Sequence, residues 1–255
     1  MNKKAIVIAL LAVVSASQSA KAQSDSSPFA YPGSFWNVTG NTSPVEKNNF
    51  ISSSYAEQGI TVFNRDGISI TPYVSLSVGL DSKGYDWNNK NVVTGGLKLS
   101  KHFGNGVASI IGGIANENHW KSGLNASSPF LKAEYWAGWG SYGNYPGSSW
   151  GAIGNTSPIE KHNVIAAIYA QQGIVAKRFD NGAKLVPFIE ASLTRDTEKY
   201  DWNNKRLIGV GFKITNPDPS CGCEVGVSYQ NEHRSKSGSS ASNVMLFAKF
   251  WFGRQ

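Results

Sequence analysis

The sequence predicts an all-β protein: an antiparallel up-and-down β-barrel of about twelve strands, or ten if the front strand of each half does not form, built from two internal repeats of six. Three observations carry that reading. The chain states one pattern twice, its apolar residues alternate with a period of two, and its connections alternate between long and short.

The repeat is direct. YPGSFW at 31–36 returns as YPGSSW at 145–150, NTSPVEKNN at 41–49 as NTSPIEKHN at 155–163, and YAEQGI at 55–60 as YAQQGI at 169–174. YDWNNK at 85–90 returns unchanged at 200–205, and NENHWKSG at 116–123 reappears as NEHRSKSG at 231–238. The offset is 114 residues before Gly67 and 115 after it, so the insertion falls where a hairpin turn absorbs it. Repeat one covers about 31–138 and repeat two about 145–253. Ahead of them, residues 1–22 read as a secretory signal: Lys3 and Lys4, the apolar run Ala5 to Val14, then small residues at Ala20-Lys21-Ala22. Ten apolar residues are about half of what a spanning helix needs, so the segment reads as cleaved, leaving one domain over 23–255.

In chain order, each repeat offers a front strand near Ser34 to Gly40, then strands near 49–63, 68–80, 91–101, 106–116 and 129–138, with copies in the second half. The evidence is plainest from Ile68 to Leu80, where Ile68, Ile70, Val74, Leu76, Val78 and Leu80 alternate with Ser69, Thr71, Tyr73, Ser75, Ser77 and Gly79. Val93, Leu97 and Leu99 continue the pattern, as do Ile208, Val210, Phe212 and Ile214. Pro72 and Pro187 lie inside such strands and predict a bulge or an edge there. An even number of strands per repeat returns the second copy in the same orientation, so equivalent loops of both copies share one end. Long connections (NTSPVEKN, DSKGYDWNNK, NENHWKSGLNASS) alternate with short ones (NRDG, KHFGNG).

Long loops at one end, tight turns at the other and an apolar outer face describe a bacterial outer-membrane barrel. Lys98, Glu117, Lys132, Glu134, Glu190, Lys213, Glu224 and Lys249 then line the lumen, and the barrel's partner is membrane lipid. A lysine at Leu76 would face lipid and one at Ser75 the lumen. The rival is a soluble periplasmic or secreted tandem glycan-binding β protein whose apolar faces pack on each other. It explains the same alternation, but its Gly- and Ser-rich inner face would pack a poor core.

Candidate chemistry falls in the long loops. The paired YDWNNK segments place Asp86, Trp87, Asn88, Asn89 and Lys90, with Asp201, Trp202, Asn203, Asn204 and Lys205, at one rim. A carboxylate, an indole, two amides and an ammonium suit the recognition of a surface glycan or an exported polysaccharide. The alternative is that Asp and Asn form turns and the tryptophans belong to an interfacial girdle. Asn116, Glu117 and Lys121, with Asn231, Glu232 and Lys236, form a second shared set. Trp87 and Trp202 are expected at equivalent places about an approximate two-fold axis along the barrel.

The remaining features exclude more than they assign. The signal carries three lysines and no acid, which lowers the net charge from +7 to about +4, too mild for a nucleic-acid partner. Cys221 and Cys223 are separated by one glycine and provide no disulfide framework, and the histidines show no ligand spacing, so neither metal nor cofactor is expected. No nucleophile-base arrangement stands out, and the chain reads as a non-enzyme with a surface-binding or narrow-pore role.

The run TPYVSLSVGLDSKGYDWNNKNVVTGGLKLSKHFGNG and its copy resemble strand–loop–strand segments of outer-membrane proteins tied to surface polysaccharides, and the C-terminal domain of the phage N4 adsorption protein A. The resemblance covers about a third of each repeat. It implies a surface-exposed barrel serving as a receptor, for instance in phage adsorption, or as part of glycan export.

Overall fold

The computed structural model describes residues 30, 32–41, 43–46, 48–140, 143–155, 157–216 and 221–253; the expected signal segment lies outside them. Its strands are β1 (Gly33–Asn41), β2 (Phe50–Gly59), β3 (Phe63–Arg65), β4 (Ile68–Asp81), β5 (Lys90–Phe103), β6 (Gly106–His119) and β7 (Asn125–Trp139). The second half supplies β8 (Gly147–Asn155), β9 (Val164–Gly173), β10 (Lys177–Arg178), β11 (Lys184–Asp196), β12 (Lys205–Asn216), β13 (Cys221–Arg234) and β14 (Ser240–Gly253). All pairings are antiparallel, and β14 returns to pair with β1, closing a barrel of 12 strands with 2 short extras, β3 and β10. The front strand of each repeat is therefore formed.

The extras record what proline does to a ladder. Between the pairs Gly59↔Tyr73 and Phe63↔Ile70, Ile60, Thr61 and Val62 oppose only Thr71 and Pro72. Pro72 accepts from the Ile60 N–H at 3.0 Å but has no N–H to return, so the partner strand bulges. The strand expected at 49–63 is accordingly broken into β2 and β3. Repeat two does the same: Ile174 donates to the Pro187 carbonyl at 3.0 Å, and the ladder steps from Gly173↔Phe188 to Lys177↔Leu185.

The alternation sorts cleanly between the two faces. Val74 (61 % exposed), Leu97 (57 %), Ile114 (65 %), Leu131 (64 %) and Ile208 (65 %) stand on the outer wall. An apolar belt around a closed wall suits hydrocarbon and not water, which excludes the soluble alternative and places the barrel in the outer membrane. Phe35, Phe250 and Phe252 cluster on that wall at the short-turn end, with Trp139 farther round at the same end.

Inside, the charged residues are paired. Lys98 meets Glu57 at 2.5 Å, Lys132 meets Glu134 at 3.0 Å, and Lys213 meets Glu224 at 2.5 Å with Lys249 3.9 Å from the same residue. Glu190 accepts from Tyr169 at 3.0 Å and from Gln230 at 2.8 Å. Lys213 also lies over the Phe188 ring and Lys249 over Phe247. Around them Ile111, Val186 and Ser228 are almost wholly buried, so side chains pack the inner wall densely.

The halves meet at two seams with one register. At β14–β1, Trp36 faces Trp251 and Gly40 faces Phe247; at β7–β8, Trp150 faces Trp136 and Gly154 faces Lys132. These are the same repeat positions, and both tryptophan pairs stand on the lumen side near the short-turn end. At Gly40 an added Cβ would lie 2.3 Å from the Leu246 carbonyl oxygen, and at Gly154 2.4 Å from that of Leu131. Only glycine allows the walls to approach so closely at either seam.

Candidate functional site

The six long loops gather at one end of the barrel and fold over its mouth. Each YDWNNK segment makes one short 3-10 turn, Asp86–Asn88 and Asp201–Asn203, without a buried residue of its own. A strand-end carboxylate organises each turn. Asp81 accepts from the Tyr85 N–H at 2.9 Å, Asn88 at 2.8 Å and Asn89 at 2.9 Å; Asp196 accepts from the Tyr200 N–H at 3.1 Å, Asn203 at 2.9 Å and Asn204 at 2.6 Å. The amides of Asn88, Asn89, Asn203 and Asn204 are thus spent inside the loops.

The turns aim their aromatic rings at one another across the mouth. Tyr85 stacks on Trp87 at 4.7 Å, Trp87 on Trp202 at 5.4 Å, and Trp202 on Tyr200 at 4.8 Å, with interplanar angles of 7° to 8°. Because β4–β5 and β11–β12 occupy opposite sides of the ring, this four-ring column spans the opening, and its midpoint lies on the approximate two-fold axis. The tryptophans therefore form no lipid girdle.

Beneath the column lie two fully buried carboxylates. Glu117 binds Lys90 at 2.6 Å and His119 Nε2 at 2.9 Å, while His119 Nδ1 meets Asp86 at 2.9 Å. Ser157, from the 156–163 loop of the other repeat, donates its hydroxyl to Glu117. In the second half Arg234 replaces His119: it binds Glu232 at 2.9 Å and Glu46 at 2.9 Å, and lies 3.8 Å from Asp201. Ser43 donates to Glu232 at 2.7 Å, and Lys205 stands 3.9 Å away. Each NTSP loop thus crosses a seam and docks in the opposite repeat, with Pro44 and Pro158 fully buried.

The other candidates lie apart. Asn116 bonds Asn125 and Ser127, and Asn231 bonds Ser242, both on the outer wall. Lys121 lies against Gly84 of the first lid loop, and Lys236 is exposed. Sequence reasoning missed Asp196, Ser43, Ser157, His119 and Arg234, and gave Asp81 no part in organising its turn. Most left a signal, since D-S/T-x-x-Y-D-W-N-N-K and N-T-S-P recur in both halves. Asp86 and Glu117, two carboxylates of adjacent loops, meet on opposite nitrogens of one imidazole, with Glu117 sealed from solvent. That arrangement ties the first YDWNNK loop to the wall beneath it.

No protein-family model matches the chain, and no curated protein does. Among solved structures, the chain is similar to the β domain of the Bordetella autotransporter BrkA (9 % identity, 89 % of this chain and 99 % of that one, TM-score 0.43). It is also similar to an outer-membrane channel from Pseudomonas putida F1 (10 %, 88 % and 95 %, 0.45) and to a bacterial polysaccharide outer membrane secretin (9 %, 88 % and 98 %, 0.37). The barrel stands on the closed pairing of its own strands.

The lid depends on ionised carboxylates. The Ser122 hydroxyl, more than anything else, holds Asp86 at about 2, below its ordinary 3.8; burial works against this, and the Ser122 N–H and His119 add to it. For Asp201 burial is the largest influence and acts upward, but bonds from Ser237 and the charge of Arg234 outweigh it, and the value is lowered. A carboxyl depressed in the folded state stabilises that state above its unfolded value and loses the contribution as pH falls through the folded value. The lid is expected to hold from neutral pH to about 4 and to loosen between there and about 2, read as loss of the coupled circular dichroism of Trp87 and Trp202. An unchanged signal across that range would show that these carboxylates do not hold the loops.

Proposed function

We propose that the chain is a gated narrow pore of the outer membrane, closed at rest by a two-fold aromatic lid and carrying out no catalytic step. The observation that supports it is the column Tyr85–Trp87–Trp202–Tyr200 lying across the mouth. Each repeat supplies half of the column and anchors it through its own Asp81 or Asp196, so parting Trp87 from Trp202 opens the lid without unfolding either loop. Such a contact is worth about 0.5–1.5 kcal/mol beyond its buried area, a range in which a minor open state is populated. Paired charges below the lid suit small hydrated solutes over one sign of ion.

A second reading is favoured by Trp87, 40 % exposed at the centre of the outer surface. There the lid contacts a surface glycan or an exported polysaccharide, and the parted indole faces offer a stacking cleft for sugar rings. The double variant Trp87→Ala with Trp202→Ala tests both readings in purified barrels. A rise of severalfold in conductance across planar bilayers is expected for the gated pore, and loss of glycan retention or phage adsorption for the surface contact. Unchanged conductance with folded protein would remove the gate.

A further inference from the structure

The two halves of the outer wall differ where the apolar belt meets the long loops. In repeat two, Ile189, Ala191 and Leu193 on β11 are followed outward by Arg195, Val210 and Ile208 on β12 by Arg206, and Tyr229 and Asn231 on β13 by His233. Pairing fixes their neighbourhood: Arg206 stands directly opposite both Leu193 and His233, and Arg195 is two residues beyond Leu193 on the same face. The equivalent positions in repeat one are Leu80, Asn91 and Asn118, none of them charged. There Trp120 closes the rim, its indole donating to Asn91 at 2.6 Å.

Neither arginine is used by the fold. Among the described residues, Arg195 and Arg206 form no ion pair; Arg195 reaches only its neighbour's carbonyl, Thr194, at 3.0 Å. Both are exposed, and His233 bonds Ser240 beside them at 2.8 Å. The carboxylates of this end that could neutralise them are engaged elsewhere. Asp196 holds Asn203 and Asn204, Asp201 holds Ser237, and Glu160 holds Asn163, leaving Glu198 as the exposed acid of the adjacent loop.

Two unpaired guanidinium groups at the water end of a hydrocarbon belt meet one kind of group at that depth, the anionic head of a lipid in the outer leaflet. We propose that Arg195 and Arg206, with His233, form a binding site for a phosphorylated glycolipid headgroup on one side of the barrel. Guanidinium presents paired N–H donors that fit phosphate oxygens, while Leu193 and Ile208 immediately below accept the acyl chains. The inference rests on the barrel's membrane placement and is independent of the lid.

The test uses the full-length barrel in neutral detergent, titrated with bis-phosphorylated lipid A, with the same lipid dephosphorylated, and with inorganic phosphate, and read by native mass spectrometry. One saturable equivalent of the phosphorylated lipid is expected. Arg195→Gln with Arg206→Gln should weaken it by on the order of tenfold or more, the scale of one or two charged hydrogen bonds. Heat-modifiable migration confirms that the variant is folded; if the pair fails to assemble, the single substitutions serve. Equal binding of the dephosphorylated lipid, binding of free phosphate as tight as that of the lipid, or full binding by the folded variants would each overturn the site.

Discussion

Val74→Lys is expected to abolish assembly of the barrel in the outer membrane. Val74 lies midway along β4, points outward and is 61 % exposed, which in the membrane means that it faces acyl chains. A lysine near the bilayer midplane costs about 2–4 kcal/mol on a barrel wall, and the cost declines toward either interface. That is a large share of the 5–15 kcal/mol or so that keeps a typical domain folded. Heat-modifiable migration on unboiled gels, with fractionation of membranes, reads the loss directly. Ile208→Lys is the depth control: it is equally exposed but next to Arg206 at the rim, where the ammonium reaches water, and a folded product is expected. Identical behaviour of the two variants would contradict a lipid-facing belt graded by depth.

Removing the buried carboxylates is the second large effect. Glu117→Ala takes the carboxylate from Lys90, leaves His119 with Asp86 alone and removes the acceptor of Ser157, while Glu232→Ala leaves Arg234 with Glu46 and Asp201 alone and removes the acceptor of Ser43. Breaking a buried charged pair from one side costs about 3–5 kcal/mol. The position of the damage is the informative part, because each carboxylate holds the loop of the other repeat. Glu117→Ala should expose the 156–163 loop to proteolysis, and Glu232→Ala the 42–49 loop. Cleavage in the mutated repeat's own loop would show that the seam-crossing contacts are not what fasten the lid.

What could be read in the sequence is what local periodicity encodes. Alternation from Ile68 to Leu80 sets which side chains face lipid, because a strand has only two faces, and the prolines at 72 and 187 announced the bulges because a missing N–H is a local fact. The inward lysines were legible as well. Ser75 shows the limit: it faces inward as the pattern requires, yet it is only 9 % exposed, so a lysine there would crowd the inner wall beside the Glu57–Lys98 pair. The density of the inner wall depends on how twelve strands close, and no single strand carries that information. The mouth was less legible. YDWNNK offers turn formers and rings in any conformation, but whether Trp87 meets lipid, sugar or Trp202 depends on a loop over a hundred residues away. Likewise, nothing local to Glu117 indicates that its partner is a serine beyond the next seam.

The equivalence of the two seams bears on what the covalent link between repeats contributes. Trp36 with Trp251 and Trp150 with Trp136 are one contact made twice, once between the chain's ends and once across the 140–146 connection. A single repeat therefore carries complementary edges, its first strand matching the last strand of a second copy, and each lid loop already seeks its carboxylate on another repeat. Among its described residues the 140–146 link repeats the backbone bonds made ahead of β1, Gly173 to Pro146 and Val175 to Asn144 as Gly59 to Pro32 and Thr61 to Ala30, and adds the bonds of Arg178 to Gly143 and Asn144. Its effect is to keep the halves at high effective concentration, so that ring closure is an intramolecular event in place of a chance encounter in the plane of the bilayer. Freed from the need to match itself, each half could then diverge, and the wall where Arg195 and Arg206 stand opposite Trp120 shows that it has.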